Sequence, residues 1–299
     1  MNFEKIKYKN RKSSEILTED VPGEKYLKFL YYNPFGKLAL NLIVKRKFLS
    51  SLYGRKMNSH KSVNLIENFV KTYNINMEES VKKIHEFTSF NDFFIRKLKP
   101  ESRKIDFNKN TLVSPCDGKI FALERINDSS KFFLKGDEFS LGEFFKDEKL
   151  AKKFFSGTML IIRLAPVDYH RYHFPCEGKI LPSKLIDGHY FSVSPHAIKQ
   201  NFRIFCENKR EFSILKSKNF GDVCIAEIGA TMVGGIVQTY KANSMVKKGE
   251  EKGYFYFGGS TVILLIEKNK IIIDEDILEN SNRGIETEIK MGEKVGISI

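Results

Sequence analysis

A serine hydroxyl is a weak nucleophile until something takes its proton, so the chemistry is sought where a serine meets an accessible carbonyl. Gly258-Gly259-Ser260-Thr261 stands between the aromatic run Tyr254-Phe255-Tyr256-Phe257 and the apolar run Val262–Ile266. Two readings are open. One is a turn or bulge in which glycine supplies unusual dihedrals. The other is a backbone that reacts with itself. Gly259 has no Cβ to shield its carbonyl, and Ser260 Oγ is one residue away. Attack would move the acyl group from nitrogen to oxygen. Loss of the Cα proton would then expel the ester oxygen and leave dehydroalanine. Tautomerisation and hydrolysis would release ammonia and leave a pyruvoyl group at position 260. Such a serine needs a base.

Candidate bases lie in Leu164-Ala165-Pro166-Val167-Asp168-Tyr169-His170-Arg171-Tyr172-His173-Phe174-Pro175. His-x-x-His without a third ligand at the right spacing is a weak zinc signal. Six histidines in 299 residues, two of them this close, fit proton transfer better. Asp117, in Val113-Ser114-Pro115-Cys116-Asp117-Gly118-Lys119-Ile120, is a candidate acid, although Asp-Gly before an apolar run is also a turn signal. His85, His60, His189 and His196 stand alone and read as surface or packing residues, while His189-Tyr190-Phe191-Ser192-Val193 would suit a substrate mouth.

Taken together, Ser-Pro-Cys-Asp-Gly at 114–118, Pro-Val-Asp-Tyr-His-Arg-Tyr-His-Phe-Pro at 166–175 and Gly-Gly-Ser-Thr at 258–261 resemble the phosphatidylserine decarboxylase proenzymes. Phe90-Asn91-Asp92-Phe93-Phe94-Ile95-Arg96-Lys97-Leu98 and Ile228-Gly229-Ala230-Thr231-Met232-Val233-Gly234 are similar to that family too. The likeness runs from about residue 60 to the C-terminus, in the family's order. One departure is Gly258, where the family often has leucine.

The resemblance implies a self-cut between Gly259 and Ser260. Residues 1–259 would form a β chain and 260–299 an α chain, held together as a heterodimer and open to higher oligomers. It implies a charge relay of Asp117, His173 and Ser260 for the cut, and His170 for proton transfer during decarboxylation. The implied cofactor is the covalent pyruvoyl group made from Ser260, with no metal. Its carbonyl would condense with the amine of phosphatidylserine as a Schiff base, releasing carbon dioxide and phosphatidylethanolamine. Its partners would be phosphatidylserine and a membrane surface with anionic lipid, not nucleic acid, and its place the cytoplasmic face of the cell membrane, as a peripheral protein. Two rival readings are a metal-dependent hydrolase built on His170 and His173 with Asp117 or Asp168, and a non-enzymatic basic protein that binds membrane or nucleic acid.

The elements that must hold these residues point to an α+β fold: a helical N-terminal layer followed by a largely antiparallel β domain carrying the active site. Residues 1–109 read as helical, basic and membrane-contacting, and 110–299 as β-rich and catalytic. The lead, 1–22, reads as irregular and polar. Residues 25–55 mix aromatic and aliphatic side chains with Lys and Arg, and would be two helices that either lie in a lipid interface or pack on the body. Helical spacing recurs over 61–86, and Asn76 with Glu79 reads as a capping box. Strands are expected at Lys119–Leu123, Thr158–Leu164, Val223–Ile228, Gly235–Tyr240, Val262–Ile266 and Ile271–Ile273, and a helix at Leu141–Phe155.

Charge supports the lipid reading. Net charge is +13, and residues 1–60 hold 13 Lys/Arg against 5 Asp/Glu, an excess that favours polyanions or is a habit of Lys-rich composition. No run of about 18 apolar residues and no signal-like h-region is present. The four cysteines are far apart and read as reduced thiols.

Overall fold

The computed structural model describes residues 5–19, 28–30, 32–33, 36, 54–126, 139–230, 235–256 and 258–299. Among them the strands are β1 (Lys7–Lys9), β2 (Ile16–Thr18), β3 (Thr111–Val113), β4 (Gly118–Leu123), β5 (Thr158–Leu164), β6 (Arg171–His173), β7 (Gly178–Ile180), β8 (Lys184–Ile186), β9 (Arg210–Ser217), β10 (Gly221–Ile228), β11 (Ile236–Gln238), β12 (Met245–Val246), β13 (Glu251–Phe255), β14 (Ser260–Ile266), β15 (Ile271–Ile273), β16 (Glu286–Ile289) and β17 (Lys294–Ser298). The large sheet runs β12-β7-β9-β10-β14-β5-β4-β16-β1-β2, with β8 also on β9. Two smaller sheets run β11-β13-β6 and β15-β17-β3. The pairings are antiparallel except β1 with β16. The fold is therefore α+β with a largely antiparallel sheet, as the alternation of short β-rich runs and turns predicts.

β14 lies at the centre, paired with β10 on one side and β5 on the other. Its side chains alternate between two cores, as a period of two requires. Ile263 and Leu265 join one hydrophobic cluster, while Val262, Leu264 and Ile266 join the cluster on the opposite face. Burial of each such side chain contributes about 1.5–3 kcal/mol. The apolar run at 262–266 is thus a strand buried on both faces.

The N-terminal region departs from expectation. Residues 7–18 are not an irregular lead: β1 and β2 form a hairpin on the edge of the large sheet, pinned by Arg11 to Asp274 and Asp276. No continuous helical layer is seen among the described residues. Short helices α1 (Ile66–Thr72) and α2 (Phe90–Phe94) surround a small separate core of Met57, Ile66, Phe87, Phe90, Phe93 and Phe94. The lipid-facing reading of 25–55 falls largely outside the described residues.

Two local expectations also change. Asn76 does cap, accepting from the backbone N–H of Glu78, but only a three-residue 3-10 turn follows, and Glu79 turns to Arg103 instead of closing a box. The helix expected over 141–155 is two: α3 (Leu141–Phe145) and α4 (Glu148–Phe154). Lys146 between them takes a left-handed φ of 48°, and Asp147 recaps the chain by accepting from the N–H of Leu150. Cys116, Cys176, Cys206 and Cys224 are free and buried.

Candidate active site

The site forms where the central strand β14 begins. Ser260 is its first residue, opposite Leu164 at the end of β5. From Leu164 the chain continues through Ala165–Asp168 to His170 and then β6. β6 pairs with β13, with Tyr254 opposite Arg171, and the N–H of Phe255 donates to the carbonyl of His170 at 3.0 Å. The chain must next turn back into β14, and it does so at Gly258, whose φ of 132° disfavours any residue with a Cβ. Among the described residues a Cβ on Gly259 would meet only Val193 Cγ2, at 3.8 Å, so packing does not demand glycine there.

Ser260 is fully buried, and its Oγ has no hydrogen-bond partner among the described residues. Thr261 Oγ1, His170 Nε2, His173 Nδ1 and Arg96 Nε are in the same condition. A buried polar atom left unpaired costs about 1–3 kcal/mol, so such a concentration calls for a functional reason.

His170 has no exposed surface. Its Nδ1 lies 2.9 Å from the Asp168 carbonyl, which can only accept, so Nδ1 carries the proton and Nε2 carries the lone pair of the neutral ring. Burial pushes the His170 pKa down to about 4, against the opposing pull of the Asp168 carbonyl, and the backbone of Gly258 also acts on the ring to raise it. Phe94 of α2 stacks on the imidazole, with centroids 3.9 Å apart. The Asp168 carboxylate holds the loop in place, accepting from the N–H of Ala165 at 2.8 Å and from Lys119 Nζ at 3.0 Å. Burial alone would raise its pKa, but Lys119 brings it down to about 2.

His173 is also buried, and burial lowers its pKa to about 4 while Glu251 and Asp117 resist. Its backbone N–H donates to the Pro115 carbonyl at 2.7 Å, which brings β6 against the Asp117 segment. Its ring lies flat against Tyr169, with centroids 5.8 Å apart.

Asp117 is 1% exposed and its oxygens are already engaged. Arg103 Nε reaches Oδ1 at 2.8 Å and Arg103 Nη2 reaches Oδ2 at 2.5 Å. The N–H of Met291 donates to Oδ1 at 2.9 Å. Gly118 follows because a Cβ there would lie 2.5 Å from the Arg163 carbonyl across β4 and β5, so Asp-Gly marks a close strand contact, not a turn.

The fold thus gathers Asp117 with His173, and His170 with the Gly258–Ser260 turn. Among the described residues no hydrogen bond joins Ser260 Oγ to either imidazole, or His173 to Asp117. Arg103 and Lys290, which lies 3.7 Å from Asp117, were not legible as site residues because no local motif marks them, and Lys119, though it stands two residues after Asp117, was not because its partner Asp168 is on another strand connection. Arg96 stands inside the Phe90–Leu98 motif, but nothing in the motif distinguished it. Among the described residues no three His, Cys, Asp or Glu side chains are grouped to hold a metal ion, and no described helix is long and apolar enough to cross a membrane.

Residues 90–297 match the phosphatidylserine decarboxylase family. Similar proteins include a phosphatidylserine decarboxylase proenzyme of Fusobacterium nucleatum, 62% identical over 296 residues and covering 99% of both chains. Proenzymes of the same name from Clostridium tetani and Clostridium novyi are 50% and 48% identical, over 97% and 98% of this chain and 98% and 100% of their own.

Proposed function

The chain belongs to the phosphatidylserine decarboxylase family, and on that premise we propose that it cuts itself at Gly259-Ser260 and then decarboxylates phosphatidylserine to phosphatidylethanolamine. The observation that carries this reading is Ser260 Oγ, buried without a partner among the described residues, at a glycine turn whose Gly258 backbone bears on the ring of His170.

In the first step Ser260 Oγ bonds to the Gly259 carbonyl carbon as His173 takes the hydroxyl proton. The Gly259–Ser260 C–N bond breaks, the nitrogen receives that proton, and an ester is formed. Removal of the Ser260 Cα proton then expels the Gly259 carboxylate with the C–O electron pair, leaving dehydroalanine. Its imine tautomer takes up water, loses ammonia and becomes the pyruvoyl group. Asp117 orients His173 and stabilises its cation once its carboxylate is released from Arg103. The pyruvoyl group supplies an electron sink for decarboxylation.

Ser260 is suited to hold that group. It opens a strand paired on both sides, so the 260–299 chain would remain fastened after the cut by β14 between β5 and β10 and by β16 on β4. In the mature enzyme His170 Nε2 would take a proton released by the substrate ammonium and return it to the substrate carbon once carbon dioxide has left, on a ring whose tautomer is set by the Asp168 carbonyl. The basic N-terminal region would meet anionic lipid at the cytoplasmic face of the membrane.

A second reading of the histidines has its own support. His170 has the fixed tautomer and an unpartnered Nε2, and the Gly258 backbone acts on its ring, so it is placed to serve as base for the cut itself. Either way, the cut chain should release labelled carbon dioxide from vesicles of carboxyl-labelled phosphatidylserine. A fully cut preparation that releases none would overturn the substrate assignment.

A further inference from the structure

Among the described residues, one buried cation beside the site makes no salt bridge: Asp117, Asp168 and Glu79 act on Arg96 only at longer range. Arg96 is 7% exposed, and its Nε is buried without a hydrogen-bond partner. Its guanidinium rests on the Phe93 ring, 5.0 Å from the centroid. The other buried arginines are satisfied. Arg163 holds Glu19 and Glu286, Arg171 holds Glu251, and Arg210 donates to the carbonyls of Phe144, Cys206, Asn208 and Glu143. A buried charge without a partner is unfavourable unless something supplies the counter-charge.

The position of Arg96 identifies the supplier. It follows α2 by two residues, and Phe94 at the end of that helix stacks on His170 at 3.9 Å. The carbonyl of Ile95 accepts from Arg171 Nε at 2.9 Å, which ties this segment to β6. A planar guanidinium matches two oxygens of a carboxylate or a phosphate.

We propose that Arg96 binds the phosphodiester of the phospholipid headgroup and so sets the substrate beside His170 and Ser260. This rests on the phosphatidylserine reading. Both oxyanions of that substrate would suit Arg96, and the chemistry separates them. The carboxylate loses its charge as carbon dioxide departs, so an arginine fastened to it would stabilise the ground state more than the transition state and slow the reaction. The phosphodiester keeps its charge throughout, and binding it helps both states alike. The charge of Arg96 also lowers the His170 pKa, which places the two groups in one electrostatic neighbourhood.

The test compares cut wild type, Arg96→Met and Arg96→Lys on phosphatidylserine in mixed micelles. Glycerophosphoethanolamine, which has the phosphodiester and no carboxylate, serves as a soluble inhibitor. We expect Arg96→Met to cut itself normally, to raise KM by about 10–100-fold with kcat little changed, and to lose the inhibition. Arg96→Lys, with the charge but not the fork, should fall between. An unchanged KM with inhibition retained would make Arg96 a packing residue and overturn the proposal. A raised KM with inhibition unchanged would assign it to the carboxylate and overturn it equally. Should Arg96→Met stay uncut, calorimetric titration of glycerophosphoethanolamine into uncut Ser260→Ala, with and without Arg96→Met, decides instead: binding lost with Arg96 supports the phosphodiester contact, and binding retained overturns it. A wild type that binds glycerophosphoethanolamine through Arg96 yet releases no carbon dioxide would instead refute the phosphatidylserine reading.

Discussion

His170 and His173 are three residues apart, both buried and both neutral, yet they occupy different settings. His170 is finished: Asp168 fixes its tautomer, Phe94 holds its ring, and Nε2 alone is left for chemistry. His173 is unfinished. Its Nδ1 has no partner among the described residues, and Asp117, the carboxylate that would fix it, is held by Arg103 and the N–H of Met291. On the roles we propose, the difference would be that of a base already set for repeated use and a base that must be completed before its single use. It fits a chain in which decarboxylation recurs and self-cutting happens once.

The largest effects should separate the two histidines. His173→Ala should stay uncut on a denaturing gel, whereas His170→Ala should cut but release no carbon dioxide, since loss of a general base lowers a rate by about 10²–10⁴-fold. The opposite pattern would exchange their roles. Asp117→Asn should slow the cut by a comparable factor, about 10²–10⁴-fold, followed as the disappearance of the full-length band over time. A normal rate in this variant would show that Asp117 serves Arg103 and not His173.

Next in size is the support beneath His170. Lys119→Met leaves Asp168 charged and buried, and should lower stability in urea by about 3–5 kcal/mol. Lys119→Met with Asp168→Asn should recover part of that loss. If the two losses simply added, the pair would not act as a unit.

The smallest effect per residue is that of pH. Both histidines take a proton near pH 6.5 when unfolded but only at about 4 when folded. Between these values the unfolded chain binds more protons, so acidification favours unfolding, and stability is full above the window. The unfolding free energy of Ser260→Ala, from urea titrations, should fall from about pH 6.5 towards about pH 4, by on the order of 3 kcal/mol per histidine, and fall less in His170→Ala. The cutting rate itself should be flat down to about pH 5, because its base stays neutral, and fall only as pH approaches about 4.

What was legible in the chain follows physical lines. β5 and β15 appear where the apolar runs Thr158–Leu164 and Ile271–Ile273 place them; the first is buried throughout, and the second buries Ile271 and Ile273 on one face. β1 and β2 are three residues each, too short to carry a strand pattern of their own, and pair on the edge that the sheet offers at β16. The break in the 141–155 helix lies at a lysine forced to positive φ, although Asp147 was a capping signal in plain view. Ser260, Asp117, His170 and His173 stood out by residue type and motif. Arg103 and Lys119 did not, because their meaning depends on partners 14 and 49 residues away.

The central claim is that the backbone breaks at Gly259-Ser260 without help. Intact mass of the purified, denatured protein tests it, wild type beside Ser260→Ala. Two wild-type chains are expected, 1–259 and 260–299, the smaller beginning with a keto group in place of its amine, beside one whole mutant chain. A wild type that remains a single full-length species under native conditions would contradict the claim.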